Sequence, residues 1–482
     1  MNSKSIWDID DIIEKVKEKK VNKNLDILII GAGITGLSCA YFLKDSNKKI
    51  AIIDKSTIGS EITAKTTAKV TYLQKDIYSK LNKNFNKIIS KAYLNSQLEA
   101  ILLIKEIINK ENIKCDLEKC DSYIFTNKPS NIRRIKKEKK ILEEFGVKCS
   151  IEDKLPLANI PIIYGMKVDN TYTINPLMYL EGLRKTVNKK IDIYENTLAK
   201  NITYHNKKFY VETNKDIFTC RKVIICSWYP FFINPGFIPI KTYIKREYIN
   251  ASKLKHKKNF TAINIDNDLM SIRFYKDYII YGSNSHRLTN KIDYEKNYNK
   301  SKKEFKKMFS KEPEYTWMNQ DIMSNDNLPL IGKVNNNNNL LIATSYNAWG
   351  MTNATIAGKI LSDLTLNKEN KYEYLFSPRE VNTISIINSL IGSFHYAKAY
   401  IQTLTNKNIV TSNKVKVIKI NGKYHGIYID EDNNKHIVSL TCPHMKCNLV
   451  FNNYEKTWDC PCHGSRFDID GNIINGPSKE KI

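Results

Sequence analysis

Four residues near the C-terminal end have the types and spacing of a metal site. Cys442 and His444 stand in Cys442-Pro443-His444, and Cys460 and His463 in Cys460-Pro461-Cys462-His463, with 15 residues between the two groups. Each group offers one thiolate and one imidazole. That is the donor set of a binuclear 2Fe–2S centre in which two histidines replace two cysteines on one iron. Tetrahedral zinc takes the same four ligands and is the rival reading, although zinc fingers pair cysteine with cysteine and histidine with histidine. Cys447 and Cys462 fall in the same 22-residue window. Cys39, Cys115, Cys120, Cys149, Cys220 and Cys226 are scattered through the first half and read as ordinary free thiols.

A second constellation lies near the N-terminal end. Gly31-Ala32-Gly33-Ile34-Thr35-Gly36 follows the apolar run Leu25 to Ile30, and Asp54 closes the next apolar run. In that setting Gly31 permits a tight turn, Gly33 lets backbone approach a pyrophosphate, and Gly36 lets a helix pack on a strand. The helix N-terminus offers free N–H groups to the phosphates, and Asp54 would accept from ribose hydroxyls. This is a dinucleotide site. Gly59 to Thr71 follows, with Thr66 and Thr67 among small and hydroxyl residues that can wrap a bulky cofactor. Ala343 to Ala354 contains Gly350, Met351 and Thr352 at the start of another helix, placed to support the ring of a flavin where reduction puts negative charge.

The elements that must carry these residues can be read from periodicity. Leu25–Ile30, a glycine turn, Leu37–Leu43 and Lys49–Asp54 make a βαβ unit, with later strands at Lys222–Cys226 and Leu340–Ala343. Residues 80 to 145 have helical periodicity, and Asn335 to Asn339 reads as a turn. From about residue 409 the pattern becomes short alternating strands such as Lys414–Ile420 and Tyr424–Ile429, with an Asn-Gly turn between them. The expected organisation is an N-terminal arm over 1–24, an α/β domain over 25–375, a helical linker over 376–408 and a small all-β domain over 409–482.

Composition sets outer limits. The 482 residues carry 76 Lys and Arg against 50 Asp and Glu, a net charge of +26. Residues 411–482 hold ten basic and eight acidic residues, so the excess is spread over the larger domain. The densest basic cluster, Arg133 to Lys140, reads as the solvated face of a helix, and no nucleic-acid signature accompanies it. Leu25 to Ile34 is the longest apolar stretch and is too short to span a membrane. The opening residues Met1 to Asp8 lack the apolar run of a secretory signal, so a cytoplasmic location is expected.

Residues 25 to 375 resemble the D-amino-acid-oxidase-like flavoproteins, which bind FAD in a fold of glutathione-reductase type. Besides the two glycine-bearing regions, the likeness rests on Val223 to Pro230, Thr173 to Leu180 and Asp326 to Gly332. It implies an α/β FAD-binding domain with an inserted α+β substrate subdomain. The FAD-binding parts would be about 25–75, 150–240 and 320–375, and the substrate side about 76–149 and 241–319. It also implies an anion-holding Arg273 and a polar or basic His286 on the substrate side. Oxidases of this family carry an arginine for the substrate carboxylate about five residues before the aspartate of Asp326-Asn327-Leu328-Pro329; here that place holds Asp321.

The C-terminal segment resembles Rieske domains, which implies a 2Fe–2S cluster on Cys442, His444, Cys460 and His463 and a disulfide between Cys447 and Cys462. The same likeness makes Ser465 a hydrogen-bond donor to the cluster and Pro477 part of a covering loop, while Phe467 replaces a tyrosine found in high-potential members. The order of modules is similar to that of bacterial FAD-dependent oxidoreductases with a C-terminal Rieske domain. Such a chain is expected to oxidise a small organic substrate, an amine being the leading class, and to pass electrons through the cluster to an acidic one-electron carrier protein. The alternatives are an electron-transfer module serving a separate enzyme, and an oxygen-using oxidase with a structural cluster.

Overall fold

The computed structural model describes residues 4–7, 12–14, 16, 21–157, 160–229, 238–256, 258–288, 293–334, 337–378 and 414–482. Of the expected linker over 376–408, all but residues 376–378 lies outside the described residues.

The chain enters its first sheet through β1 (Asn24–Ile30), turns into α1 (Ile34–Leu43) and returns in β2 (Ile50–Ile53). β1 pairs in parallel with β2 and with β3 (Ile217–Ile225). β2 and the C-terminal ends of β1 and β3 are apolar because both faces are covered there. Leu28, Ile29, Ile52, Ile224 and Ile225 are all fully buried.

The chain then builds a second, mostly antiparallel sheet, whose last part is β4 (Thr242–Lys253), β5 (Tyr278–Arg287) and β6 (Tyr315–Ser324). β4 lies between β5 and β6. Ser150–Glu152 and Tyr164–Thr173, expected on the FAD-binding side, belong to this second sheet instead. The reason is pairing: Tyr164–Thr173 runs antiparallel to Glu118–Thr126 over most of its length. Finally β7 (Asn337–Thr344) adds in parallel to β3, and α2 (Gly350–Thr365) packs on α1. That packing is close because Gly358 sits where a Cβ would meet Ser38 at 2.6 Å.

Residues 80–145 are helical in three pieces, Ile77–Asn84, Lys87–Lys110 and Ile132–Glu144, with the strand Glu118–Thr126 between the last two. The basic cluster does lie on a helix whose apolar side, Ile135 and Leu142, is buried. The polar lead-in is less loose than its composition implied: Trp7 is 3% exposed and donates from Nε1 to the carbonyl of Thr66 at 2.8 Å.

The C-terminal module has two small antiparallel sheets and its own core around Trp458, Phe451 and Leu449. Its first hairpin turns at Asn421 and Gly422, both at positive φ, as a two-residue primed turn requires. No helix among the described residues is long and apolar enough to cross a membrane.

Candidate functional site

α1 and α2 both begin at one large cleft. Its empty space, open mouth included, is about 1470 Å³. Gly31, Gly33, Asp54, Thr66, Gly350 and Met351 line it together. The first helix turns of α1 and α2 have no side-chain caps, so their N–H groups are left for a ligand. A Cβ at Gly33 or at Gly350 would meet nothing within 4 Å, which leaves room for a bound group against the backbone. Gly31 has φ +107°, and a side chain there would strike the carbonyl of Cys226 at 2.8 Å. Gly36 works one layer back, where a Cβ would sit 1.9 Å from the carbonyl oxygen of Gly31.

Asp54 accepts from the N–H of Ala32 at 2.7 Å and of Ser56 at 3.0 Å. Burial and the neighbouring Glu61 raise its carboxyl to about 6, against those two hydrogen bonds. Thr352 lies behind the cleft in a buried polar network. There Gln74 reaches Thr352 Oγ1 at 3.5 Å and Gln97 Oε1 at 2.9 Å, and Gln97 holds Asn353 at 2.9 Å. This network fixes the start of α2, and nothing local in the sequence marks it.

Arg273 is placed differently from the expectation. Its guanidinium donates to the carbonyls of Thr67, Ala68 and Ile174 at 2.5, 2.8 and 3.0 Å, and its Nε to that of Phe274. It is 1% exposed, with Trp7 and Tyr275 packed over it. A side chain whose donors are all directed at backbone is a clamp on the Thr67–Ala68 loop, in place of the anion holder expected from the sequence. His286 lies on β5, away from the cleft lining, with Nδ1 on the carbonyl of Arg287 at 3.0 Å and Nε2 on Tyr248 OH at 3.2 Å. Burial lowers its pKa.

In the C-terminal module the two loops bring Cys442, His444, Cys460 and His463 together. The imidazoles of His444 and His463 are 4.9 Å apart, and the Cys460 thiol is near enough to Cys442 to lower its pKa. Cys447 and Cys462 form a disulfide. The sulfurs of Cys447, Cys460 and Cys462 lie within 4.8 Å of one another, so the disulfide abuts Cys460. Two of those three sulfurs are joined, so the donor set open to a metal is Cys442, Cys460 and the two imidazoles.

These donors fit a cluster in charge as well as in type, since metals take thiolates and neutral imidazoles. Contact with the Cys460 thiol, the backbone N–H groups of His444 and Met445 and the Ser465 hydroxyl bring Cys442 down to about 7. Burial lowers His444 to about 4 and His463 to about 3. His444 Nδ1 is buried with no hydrogen-bond partner among the described residues, as a ligand atom would be. Ser465 Oγ also accepts from the N–H of Ser478 at 3.2 Å, which ties the loop carrying buried Pro477 over the site. Phe467 is fully buried in the same core.

The two sites meet across β4 and β6. Arg246 and Asp459, each fully buried, form an ion pair at 2.8 Å, and Arg466 shares Asp459 at 3.1 Å. Gln320 Nε2 donates to the carbonyl of Gly464, the residue after His463, at 3.3 Å. Tyr298 donates to Glu455 at 2.7 Å and stacks on Tyr454 at 3.7 Å. Tyr229 lines the cleft and presents its ring to both imidazoles, 6.4 Å from each.

Comparison with known proteins agrees with this geometry. Residues 26–364 match the family described as FAD dependent oxidoreductase, and residues 401–482 match the Rieske [2Fe-2S] domain. The putative Rieske 2Fe-2S iron-sulfur protein YhfW of Bacillus subtilis is 30% identical over 94% of this chain and 92% of its own length. Glycine oxidase from Geobacillus kaustophilus superposes with a TM-score of 0.63 at 13% identity, covering 74% of this chain and 99% of that one. L-proline dehydrogenase from P. horikoshii gives 0.62 at 16%, covering 74% and 98%. The last two show the fold of the larger domain.

Proposed function

Because this chain belongs to the FAD-dependent oxidoreductase family and carries a C-terminal Rieske 2Fe–2S domain, we propose that it dehydrogenates a small amine and hands the electrons to a one-electron carrier protein. FAD accepts two electrons as a hydride and gives them up singly, while the cluster carries one at a time. Gly31, Gly33 and the open ends of α1 and α2 would hold the dinucleotide, with Asp54 toward the ribose. Cys442, His444, Cys460 and His463 would hold the cluster.

The observation that carries this reading is Tyr229. Its ring lines the cleft and stands edge-on to the imidazoles of both His444 and His463, with ring centres 6.4 Å apart in each case. Around it Ile244, Leu288 and Ile322 make a buried apolar seam. An internal relay between the two cofactors needs such a contact, and an oxidase beside a purely structural cluster does not. The net charge of +26 favours an acidic carrier.

Anaerobic mixing with a panel of small amines tests the proposal. Flavin bleaching is expected first, then loss of the oxidised cluster's visible absorption. Bleaching that leaves the cluster oxidised would refute the relay.

Phe467→Tyr provides a second measurement. A hydroxyl directed at the sulfurs favours the reduced, more negative state. A differential of about 1 kcal/mol corresponds to on the order of 40 mV for one electron, so redox titration should show a rise of that size. An unchanged potential with an intact cluster would show that Phe467 does not set it.

A further inference from the structure

The C-terminal module gives the FAD cleft two of its lining residues, Gly476 and Ser478, while every other described residue of that lining lies at or before Ala354. Both sit in the turn Gly476-Pro477-Ser478, which follows the hairpin of Arg466–Phe467 and Ile473–Asn475. The hairpin loop is held by Asp468, which accepts from the N–H groups of Asp470 and Asn472 at 2.9 and 2.8 Å. The turn itself is pinned to its own module. A Cβ at Gly476 would stand 3.0 Å from the Ser478 nitrogen and 3.2 Å from Ser465 Oγ, so glycine lets the chain bend this closely. Ser478 Oγ donates to the carbonyl of Glu480 at 2.9 Å, and the N–H of Ile482 donates to the carbonyl of Gly471 at 3.1 Å.

The same segment is tied to the cleft wall. Lys55, next to Asp54, donates from Nζ to the carbonyl of Ile474 at 3.3 Å and forms an ion pair with Glu61 at 2.6 Å. Lys55 and Glu61 both line the cleft. Gly464 sets a second close approach: its φ is +72°, and a Cβ there would come within 3.0 Å of Ile244 and 3.2 Å of Leu288. Ser478 is 4% exposed, so the little surface it keeps faces the cleft. Toward that cleft the turn brings backbone and one small hydroxyl residue, the kind of surface that Gly33 and Gly350 offer at the helix ends.

We propose that Gly476 and Ser478 are FAD-binding residues, so that one turn of the C-terminal module covers the cluster on one side and the bound dinucleotide on the other. Ligand sites bury most of their ligand's surface, and a cofactor enclosed partly by the second module leaves only when this turn moves away. The module that takes the electrons thereby also retains the flavin. Ser465 joins the two roles, since its hydroxyl accepts from the Ser478 N–H at 3.2 Å and also acts on the Cys442 thiol.

This assignment rests on the dinucleotide lying against Gly33 and Asp54, and one experiment separates the two. Amide hydrogen exchange of the full, iron-loaded chain is measured with and without FAD. Protection by FAD is expected over residues 26–40, at the glycine turn and α1, and over residues 473–482, while the hairpin over 415–429, no residue of which lines the cleft, exchanges as before. Protection of 26–40 alone would overturn the assignment. Equal protection of 415–429 would overturn it too, since the whole module would then be steadied without a contact at the turn. No protection over 26–40 would remove the dinucleotide reading, and this assignment with it. Ser478→Asp gives a second measurement. A carboxylate on the cleft wall repels an anionic pyrophosphate, so FAD should bind about tenfold or more weakly in protein that keeps its iron. Unchanged FAD affinity in that variant would overturn the contact.

Discussion

Gly33→Val is expected to give a folded protein that has lost its FAD. Gly33 has φ −73° and ψ −175°, an extended conformation open to any residue. Its missing Cβ points into empty space at the start of α1, so valine strikes no part of the protein. It fills instead the place where a pyrophosphate would meet the first N–H groups of the helix. Gly36→Ala is the opposite case, for its Cβ would stand 1.9 Å from the Gly31 carbonyl oxygen. Separating α1 from β1 to relieve that overlap should cost on the order of 3–5 kcal/mol. Flavin absorbance per chain and thermal unfolding distinguish the two: normal melting without flavin for Gly33→Val, early melting for Gly36→Ala. A Gly33→Val protein that keeps its flavin would place the dinucleotide elsewhere.

Asp459→Ala is expected to release the C-terminal module from the larger domain. Asp459 is shared by Arg246 and Arg466, and all three are buried. Burial alone would raise its carboxyl, but the two guanidinium groups hold it below the ordinary carboxylate range. Without it Arg246 keeps, among the described residues, only Gln320 and Tyr294, both neutral, as side-chain hydrogen-bond partners. An uncompensated buried charge of this kind costs about 3–5 kcal/mol. Calorimetry should show the small module melting earlier, and proteolysis should reach it sooner. The sign of the pH effect follows, since the native pKa is lowered. The contribution of Asp459 is complete above the ordinary carboxylate range and is lost as pH falls through the native value. Replacing both partners, with Arg246→Met and Asp459→Leu together, should recover part of the loss because neither charge is then stranded. An Asp459→Ala protein as stable as the parent would mean that the ion pair does not hold the modules together.

Much of the site was legible because its chemistry is local. A pyrophosphate turn needs three glycines within six residues and an acid at the end of the next strand, and Gly31, Gly33, Gly36 and Asp54 occupy those places. A binuclear cluster needs donors from two short loops, and Cys442, His444, Cys460 and His463 stand at loop spacing. The Asn-Gly turn of the C-terminal module was readable for the same reason, since a primed turn requires positive φ at both residues.

Other features depend on register between distant strands. Arg273 is an ordinary strand residue in the sequence, and only the fold brings the carbonyls of Thr67, Ala68 and Ile174 within its reach. Arg246 and Asp459 are 213 residues apart and leave no spacing to read. Trp7 lies in a polar stretch, yet its Nε1 is held by Thr66. Tyr229 was visible only as part of a strand end. A signal did exist at Asn319-Gln320-Asp321, three polar residues in a row between Trp317-Met318 and Ile322-Met323. Alternation says that Gln320 points away from its two neighbours. It cannot say that one face meets the FAD cleft and the other the Rieske module, because that depends on which strands pair and on what packs against each side of the sheet. The sequence by itself determined the two cofactor sites, each built from residues close along the chain, and the tertiary structure alone decided that both sit against the same pair of strands.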